Sequence, residues 1–184
     1  MVTQGVSVCC REGLQVSIKL RALAPEHIPW LLEACSDWEE LAQHGSPYWR
    51  PRSCAELQRK IDDTAGPLPA AAYTFVIVDE TRLVGEVSVH AIDWRNRVAQ
   101  VGVCIWRPED RRCGYGMAGC TAVIDWAVKH LGLRRLEAWI LKGNSASLEL
   151  FRTLGFEQEG TFKQRYLHDG YYKDINILAY IVGA

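Results

Sequence analysis

The chain has 184 residues, of which 48% are hydrophobic and 23% are charged, and its formal net charge is −1. This composition is typical of one globular domain and excludes fibrous and disordered classes. The balanced charge argues against nucleic-acid binding, and no apolar run reaches the roughly 20 residues that span a bilayer. Residues 1–13 lack the features of a signal peptide. We therefore predict a cytoplasmic protein with a flexible tail over residues 1–13 and a single domain over residues 14–184.

The cysteines and histidines are scattered along the chain. The seven cysteines include no C-x-x-C pair, and adjacent Cys9 and Cys10 are poorly placed to bridge each other. The five histidines show neither H-x-x-x-H nor zinc-finger spacing. We therefore predict free thiols and no metal centre.

The first part of the chain is predicted to contain a strand and two helices. Residues 16–23 have strand character, Pro25 begins a helix that runs to about Cys35, and Ser53 caps a helix over residues 54–62. The segment between the two helices is aromatic and polar. A Gly-, Pro- and Ala-rich loop at residues 66–72 then separates the two halves of the domain.

Three strands follow the loop, at residues 73–78, 83–92 and 97–106. Their connections are so short that the strands must pair antiparallel, as a meander. A long hairpin is also predicted over residues 158–182, because it contains an Asp-Gly turn signal at Asp169 and Gly170.

Between the meander and the hairpin, strand and helix alternate. An amphipathic helix is predicted from about Gly116 to Leu131, with Gly132 as its stop, and a short strand over residues 136–141. Asn144 then caps a helix that Gly155 ends. This alternation predicts local parallel pairing, so the whole chain is predicted to be a mixed α/β sandwich.

The most informative segment is Arg-Arg-Cys-Gly-Tyr-Gly at residues 111–116, between the third meander strand and the amphipathic helix. Glycines let backbone N–H groups crowd around an anion, and a helix N-terminus adds about half a positive charge. Arg111 and Arg112 bring further positive charge. The segment therefore predicts a pyrophosphate site.

Other interpretations of these glycines remain open. Gly114, Gly116 and Gly119 match the dinucleotide pattern G-x-G-x-x-G. In that motif, however, the glycines follow the strand at once and the strands are parallel, whereas residues 107–113 intervene here. No Walker loop occurs. The segment could also be a simple turn into a helix.

The pattern Arg111-x-x-Gly114-x-Gly116 resembles the Q/R-x-x-G-x-G/A signature of the GNAT N-acetyltransferase superfamily. Further segments resemble the subgroup that acetylates ribosomal-protein N-termini (RimJ/RimL type) and polyamines: residues 83–85, 96–97, 99–102, 144–147 and 154–160, and Gly170-x-x-x-Asp174. The resemblance covers about residues 14–182. It implies a central, mostly antiparallel sheet of six to seven twisted strands, splayed between strands 4 and 5 and flanked by about four helices.

The resemblance also implies a site for acetyl-CoA, without a metal. The pantetheine arm would bind in the splayed gap, the pyrophosphate at the glycine segment, and a helix-capping asparagine would reach the pantetheine. The cofactor-binding residues carried over are Val103, Cys104, Ile105, Arg111, Arg112, Cys113, Gly114, Tyr115, Gly116 and Asn144.

Catalysis would require an acid for the leaving thiolate and a base for the amine. Many relatives have a tyrosine acid where this chain has Phe151, but Ser147 matches a serine that donates to the thiolate in the ribosomal-protein subgroup. The glutamate that is frequent at the start of the fourth strand is replaced by Gln100.

Other residues are candidates for the missing base. Glu86 and His90 share one side of a strand, so either could relay a proton through water. Tyr166 and His168 are further candidates. A solvated surface position is the alternative for Glu86 and His90.

The acceptor is expected between the first helical region and the last hairpin. Acidic and aromatic groups there could hold a cationic amine: Asp37, Trp38, Glu39, Glu40, Tyr48, Trp49, Tyr166, Tyr171 and Tyr172. A protein N-terminus, a polyamine and an amine-bearing metabolite such as an antibiotic all remain open. So do another acyl donor, a non-catalytic acyl-CoA sensor, and a homodimer of the kind common in the family.

Overall fold

The structure, a computed structural model, describes residues 6–9, 15–43 and 50–183. These residues form eight strands. The strands are β1 (Val6–Cys9), β2 (Gln15–Ala22), β3 (Tyr73–Asp79), β4 (Arg82–Asp93), β5 (Val98–Ile105), β6 (Arg135–Leu141), β7 (Glu157–His168) and β8 (Tyr171–Ile181). The meander, the short sixth strand and the final hairpin all lie where the sequence predicts them.

Five α-helices accompany the strands within the described residues. They are α1 (Ile28–Ala34), α2 (Trp38–Ala42), α3 (Cys54–Asp62), α4 (Tyr115–Leu131) and α5 (Ser145–Thr153). The predicted caps are confirmed: Ser53 accepts a hydrogen bond from the Glu56 amide, and Gly132 ends α4 in the left-handed conformation. None of the helices in this part of the chain is long and apolar enough to cross a membrane.

The strands follow the order β1-β2-β3-β4-β5-β6-β8-β7. Every neighbouring pair is antiparallel except β5 and β6, which are parallel. Strands β2–β8 are the predicted seven, and β1 extends the sheet at one edge. Because β1 precedes them, the predicted strands 4 and 5 are β5 and β6.

The pairing of β5 with β6 is short. It joins Val98–Gln100 to Arg135–Glu137 through three residue pairs, and the two strands then separate. Beyond that point β5 remains paired with β4 up to Ile105, and β6 remains paired with β8 up to Leu141. The predicted splay is confirmed, and it leaves a gap inside the sheet.

Helices cover both faces of the sheet, as the packing of β3 illustrates. Successive strand residues point to opposite faces, so Ile77 packs under α4 with Val87 and Ala118, whereas Val76 and Val78 pack with the helices that precede β3. Gly119 of α4 makes this packing close: a Cβ there would lie 2.7 Å from the Ile77 Cδ1 atom.

Three details differ from the prediction. Val6–Cys9 pairs with β2, so this part of the predicted tail is a strand. The helix at Pro25 is interrupted: residues 25–27 form a 3-10 turn and α1 starts at Ile28, because Pro29 has no N–H with which to continue the earlier turn. The additional helix α2 makes five rather than four.

The described cysteine side chains are free thiols: Cys35, Cys54, Cys104, Cys113 and Cys120. Cys10 and the side chain of Cys9 lie outside the described part of the chain.

Candidate active site

A cavity of about 830 Å³ lies where β5 and β6 separate. Its wall includes the exposed inner edges of both strands, residues of β4, α3 and α5, and the loop before β3. Nine residues singled out in the sequence line it together: Glu86, His90, Gln100, Val103, Cys104, Asn144, Ser147, Phe151 and Tyr166. The fold therefore gathers into one site residues that are up to 80 positions apart in sequence.

One wall is formed by β5 and the start of α5. Val103 and Cys104 lie on the strand that has lost its partner β6. Opposite them, Asn144 caps α5 by accepting a hydrogen bond from the Ser147 amide at 3.1 Å. The cap fixes the first turn of the helix, and both side chains reach the cavity wall. Phe151 lies one turn further along and is buried against Phe156.

The N-terminus of α4 lies beside this wall, although neither Ile105 nor any of residues 111–116 lines the cavity. Gly114 is its N-cap, with a φ of 88°, and supplies no side chain to cap the first turn. The first amides of α4 are therefore directed outward without a side-chain partner at the cap. A Cβ on Gly116 would lie 3.7 Å from Leu150 and 4.0 Å from Val103, so the helix end contacts both α5 and β5.

The two arginines of the glycine segment have different environments. Arg111 turns inward and donates to both oxygens of Glu40, at 2.5 and 2.8 Å, and to the carbonyl of Ile105 at 3.2 Å. This carboxylate raises the pKa of Arg111. Arg112 is exposed and has a φ of 62°. Of the two arginines, Arg112 is therefore the one whose side chain is exposed to solvent.

Two further contacts tie this segment to the β3–β4 hairpin. The Tyr115 hydroxyl donates to Asp79 at 2.5 Å, and burial together with this carboxylate raises the pKa of Tyr115 to about 12. One nitrogen of Arg82 donates to both oxygens of buried Asp110, at 2.7 and 2.8 Å. The side chain of Tyr115 is thus structural, and only its backbone amide belongs to the helix N-terminus.

Glu86 is not a solvated surface residue. Its side chain is 8% exposed and accepts two hydrogen bonds from Arg52, at 2.8 and 3.2 Å. The Arg52 side chain is 4% exposed. This is a buried bidentate ion pair between β4 and the segment before α3, and both partners line the cavity.

His90 lies four residues after Glu86, on the same face of β4. Ser88 stands between it and Glu86, and the Ser88 Oγ lies 3.2 Å from the His90 Nδ1. Burial lowers the pKa of His90, the charge of Lys60 lowers it further, and a hydrogen bond with the Gln100 side chain opposes the shift. Burial and Lys60 therefore favour the neutral form of the imidazole.

Tyr166 reaches the cavity from an irregular part of β7. The pairing of β7 with β8 shifts register between Phe162 and Tyr166, and Gln164 has a φ of 49°. The carboxylate of Asp174 accepts from the Gln164 amide at 2.9 Å, and this bond, reinforced by Lys142, lowers the pKa of Asp174. Asp174 therefore stabilises the bulge that carries Tyr166.

The other predicted acceptor residues that lie in the described part of the chain do not line the cavity. Tyr171 and Tyr172 are 69% and 66% exposed at the hairpin turn. Asp37 caps α2, and Glu40 is bonded to Arg111. His168 hydrogen-bonds the carbonyl of Ala42. Tyr48 and Trp49 lie outside the described residues.

Sequence reasoning missed several residues of the wall: Arg52, Lys60, Asp63, Thr74, Ser88, Trp139 and loop residues 69–72. Ser88 could have been found, because it shares the strand periodicity of Glu86 and His90. Arg52 gives no local signal, since its partner is 34 residues away. In residues 15–43 and 50–183, no three His, Cys, Asp or Glu side chains are grouped so as to hold a metal ion.

Residues 17–157 match the family described as acetyltransferase (GNAT) domain. This chain belongs to the GNAT family. It is similar to the uncharacterized N-acetyltransferase YoaA of Bacillus subtilis, with 30% identity over 103 residues, which are 56% of this chain and 58% of that protein. The alignment thus spans little more than half the length of this relative.

Solved structures share the fold. The ribosomal L7/L12 alpha-N-protein acetyltransferase RimL, in complex with coenzyme A, has a TM-score of 0.81 at 24% identity, covering 90% of this chain and 94% of that one. The spermidine N-acetyltransferase of Vibrio cholerae, in complex with CoA and spermine, has a TM-score of 0.76 at 21% identity, covering 89% and 95%. At these identities the likeness concerns the fold alone, and it bears out the predicted GNAT fold.

Proposed function

We propose that this protein is an acyl-CoA-dependent N-acyltransferase that transfers acetyl from acetyl-CoA to a primary amine by direct attack in a ternary complex. The observation that carries the proposal is the gap between β5 and β6, which opens onto a cavity and has the N-terminus of α4 beside it, next to Val103 and Ile105 of β5. An extended thioester arm fits between separated strands, and a pyrophosphate suits a helix N-terminus.

The donor side is assigned as follows. The backbone of Val103, Cys104 and Ile105 would hydrogen-bond the pantetheine, because β5 has no β6 partner at these residues. The amides of residues 111–116 would hold the pyrophosphate, with Arg112 adding charge. Asn144 would serve as helix cap and as pantetheine contact, since the capping side chain also lines the cavity.

Acyl transfer needs an oxyanion donor, an acid for the thiolate and a base for the amine. A backbone N–H of β5 would stabilise the oxyanion, and Ser147 would give its proton to the departing thiolate. Phe151 has no hydroxyl at the position of the usual tyrosine acid, whereas Tyr166 places a phenol on the same cavity wall. Ser147 is the proposed acid and Tyr166 is its second candidate.

Glu86 is proposed to act through electrostatics and to hold Arg52. Protonation of its carboxyl would break a buried bidentate pair, which is costly. This pair disfavours the role of general base that its position in the strand suggested.

The charge of the cavity bears on the acceptor. Among the described lining residues, the carboxylates of Glu86 and Asp63 are balanced by the cations of Arg52 and Lys60. A polyamine carries several positive charges and would need an excess of carboxylates. We therefore propose an acceptor with one ammonium group, such as a protein N-terminus or a small primary amine.

The test has two stages. Thermal unfolding is followed with acetyl-CoA, CoA, NAD and ATP, since a ligand at 100 times its dissociation constant adds about 2.7 kcal/mol of stability. Thiol release is then measured with Ser- and Ala-starting peptides, an aminoglycoside and spermidine. Stabilisation by CoA species and turnover of a singly charged amine are expected. Stabilisation by NAD alone would refute the assignment.

A non-catalytic acyl-CoA sensor is the second candidate. Phe151 and Gln100 replace the tyrosine acid and the glutamate base of relatives, which favours binding without turnover. Release of thiol with any amine would exclude this candidate. The cytoplasmic location, the homodimer, the RimJ/RimL-type subgroup and the choice of acetyl over another acyl group stay predictions.

A further inference from the structure

His90 supplies the only imidazole among the described residues that line the cavity. It shares one face of β4 with Glu86 and Ser88, while Val87 and Val89 point to the opposite face and pack in the core. On the neighbouring strand β5, residue 102 is a glycine. A Cβ there would lie 3.1 Å from His90 Cε1 and 3.2 Å from Ser88 Oγ, so the glycine makes room for both side chains.

The surroundings of His90 keep its imidazole neutral. Lys60 comes from α3 and Gln100 from β5, and each interacts with the ring. The other titratable side chains among the described lining residues are Asp63 after α3, Glu86 on β4, Cys104 on β5, Arg52 before α3 and Tyr166 on β7. Burial is the largest cause of the lowered pKa of His90, and the positive charge of Lys60 acts in the same direction.

The ring also has a hydrogen-bonded partner that can pass a proton. Ser88 Oγ lies 3.2 Å from Nδ1, and a hydroxyl both donates and accepts. Glu86 offers a poorer route, because both of its oxygens accept from Arg52. A proton taken up by His90 breaks no ion pair.

We propose that His90 is the proton acceptor for the amine in the proposed acyl transfer, receiving the proton directly or through the Ser88 hydroxyl. The step rests on the proposed function, and its protons balance. An ammonium group loses one proton to His90, and its nitrogen forms the C–N bond as the C–S bond breaks. As the amide forms, the nitrogen loses its second proton, which replaces the proton that Ser147 gives to the CoA thiolate. His90 then returns its proton to solvent.

The test compares His90→Gln with His130→Gln, which changes an exposed histidine in the last turn of α4. The pH dependence of kcat is measured with acetyl-CoA and whichever of a Ser-starting peptide or a small primary amine the wild type acetylates. Because the pKa of His90 is lowered, the acid limb of the wild type should lie at a pH below about 6.5, the ordinary histidine value. His90→Gln should lower kcat by about 100-fold and abolish this acid limb, with unchanged thermal stabilisation by CoA. His130→Gln should behave as the wild type.

Two measurements keep the test decisive if His90→Gln is unstable. Added imidazole should restore turnover to His90→Ala but not to Ser147→Ala. NMR titration of wild-type histidine rings should find His90 neutral at pH 7. A His90 variant with the wild-type rate and acid limb, or a ring protonated at pH 7, would overturn the proposal. Absence of turnover by the wild type with every amine would instead refute the proposed function, and the role of His90 with it.

Discussion

The wall formed by β5, α4 and α5 differs from the wall formed by residues 50–72 in what holds it in place. The first is built from local backbone features, namely the N-cap at Asn144 and the left-handed Gly114. The second depends on long-range side-chain pairs, above all Arg52 with Glu86. Backbone features suit a donor that is always the same molecule, whereas side-chain pairs can change with the acceptor.

The largest expected effect concerns the long-range wall. Glu86→Gln leaves Arg52 as a buried charge without its carboxylate, which should cost about 3–5 kcal/mol of unfolding free energy. Denaturant unfolding measures this loss. Glu157→Gln, at an exposed position of β7, is the control and should change stability by less than about 0.5 kcal/mol. Equal stability of the two variants would mean that the ion pair does not hold this wall.

Ser147→Ala tests the chemistry of the local wall. Removal of the proposed proton donor should lower kcat by about 100-fold while leaving the affinity for CoA unchanged. Steady-state thiol release and calorimetric titration with CoA separate the two quantities. Ser145→Ala changes an exposed serine of the same helix and should keep full activity. A fully active Ser147→Ala would transfer the acid role to Tyr166.

The two glycines that flank α4 provide a matched pair. Gly114 and Gly132 both have positive φ, 88° and 65°. Alanine at either should cost about 1–2 kcal/mol of stability, because the left-handed conformation strains a Cβ. Only Gly114→Ala should also weaken CoA binding in calorimetric titration, since only that end of the helix lies next to Val103 and Ile105 of the gap. Equal weakening by both would contradict a site at the N-terminus.

These features were accessible from sequence to different degrees. The meander, the glycine segment and the Asn144 cap were predicted from local periodicity, turn residues and capping patterns. The splayed strands were predicted only because the resemblance to the GNAT superfamily implies them. The ion pairs of Arg52 with Glu86 and of Glu40 with Arg111 were not, because they join residues 34 and 71 positions apart. Charge alone does not show which partner a side chain will meet after folding.

The smallest expected effect is a pH dependence of stability. Burial lowers the pKa of His27, whose Nδ1 accepts from the Ala24 amide at 3.0 Å, and that of His90. Above about pH 6.5 both histidines are neutral in the folded and in the unfolded chain, so their protonation does not reduce the stability of the fold. Below about pH 6.5, the histidines bind protons more readily in the unfolded chain than in the folded chain. The free energy of unfolding therefore falls as pH falls. His27→Gln should reduce this slope between pH 8 and 5 in thermal unfolding. An unchanged slope would show that His27 is not held neutral.

The central claim is that the gap between β5 and β6, together with the N-terminus of α4, binds acyl-CoA. Amide hydrogen exchange with and without CoA tests it most directly, since bound ligand slows local opening. We predict protection in residues 103–105 and 114–117, with no change in β1 and β2. Protection elsewhere, or none at a CoA concentration that raises the melting temperature, would contradict this location of the site.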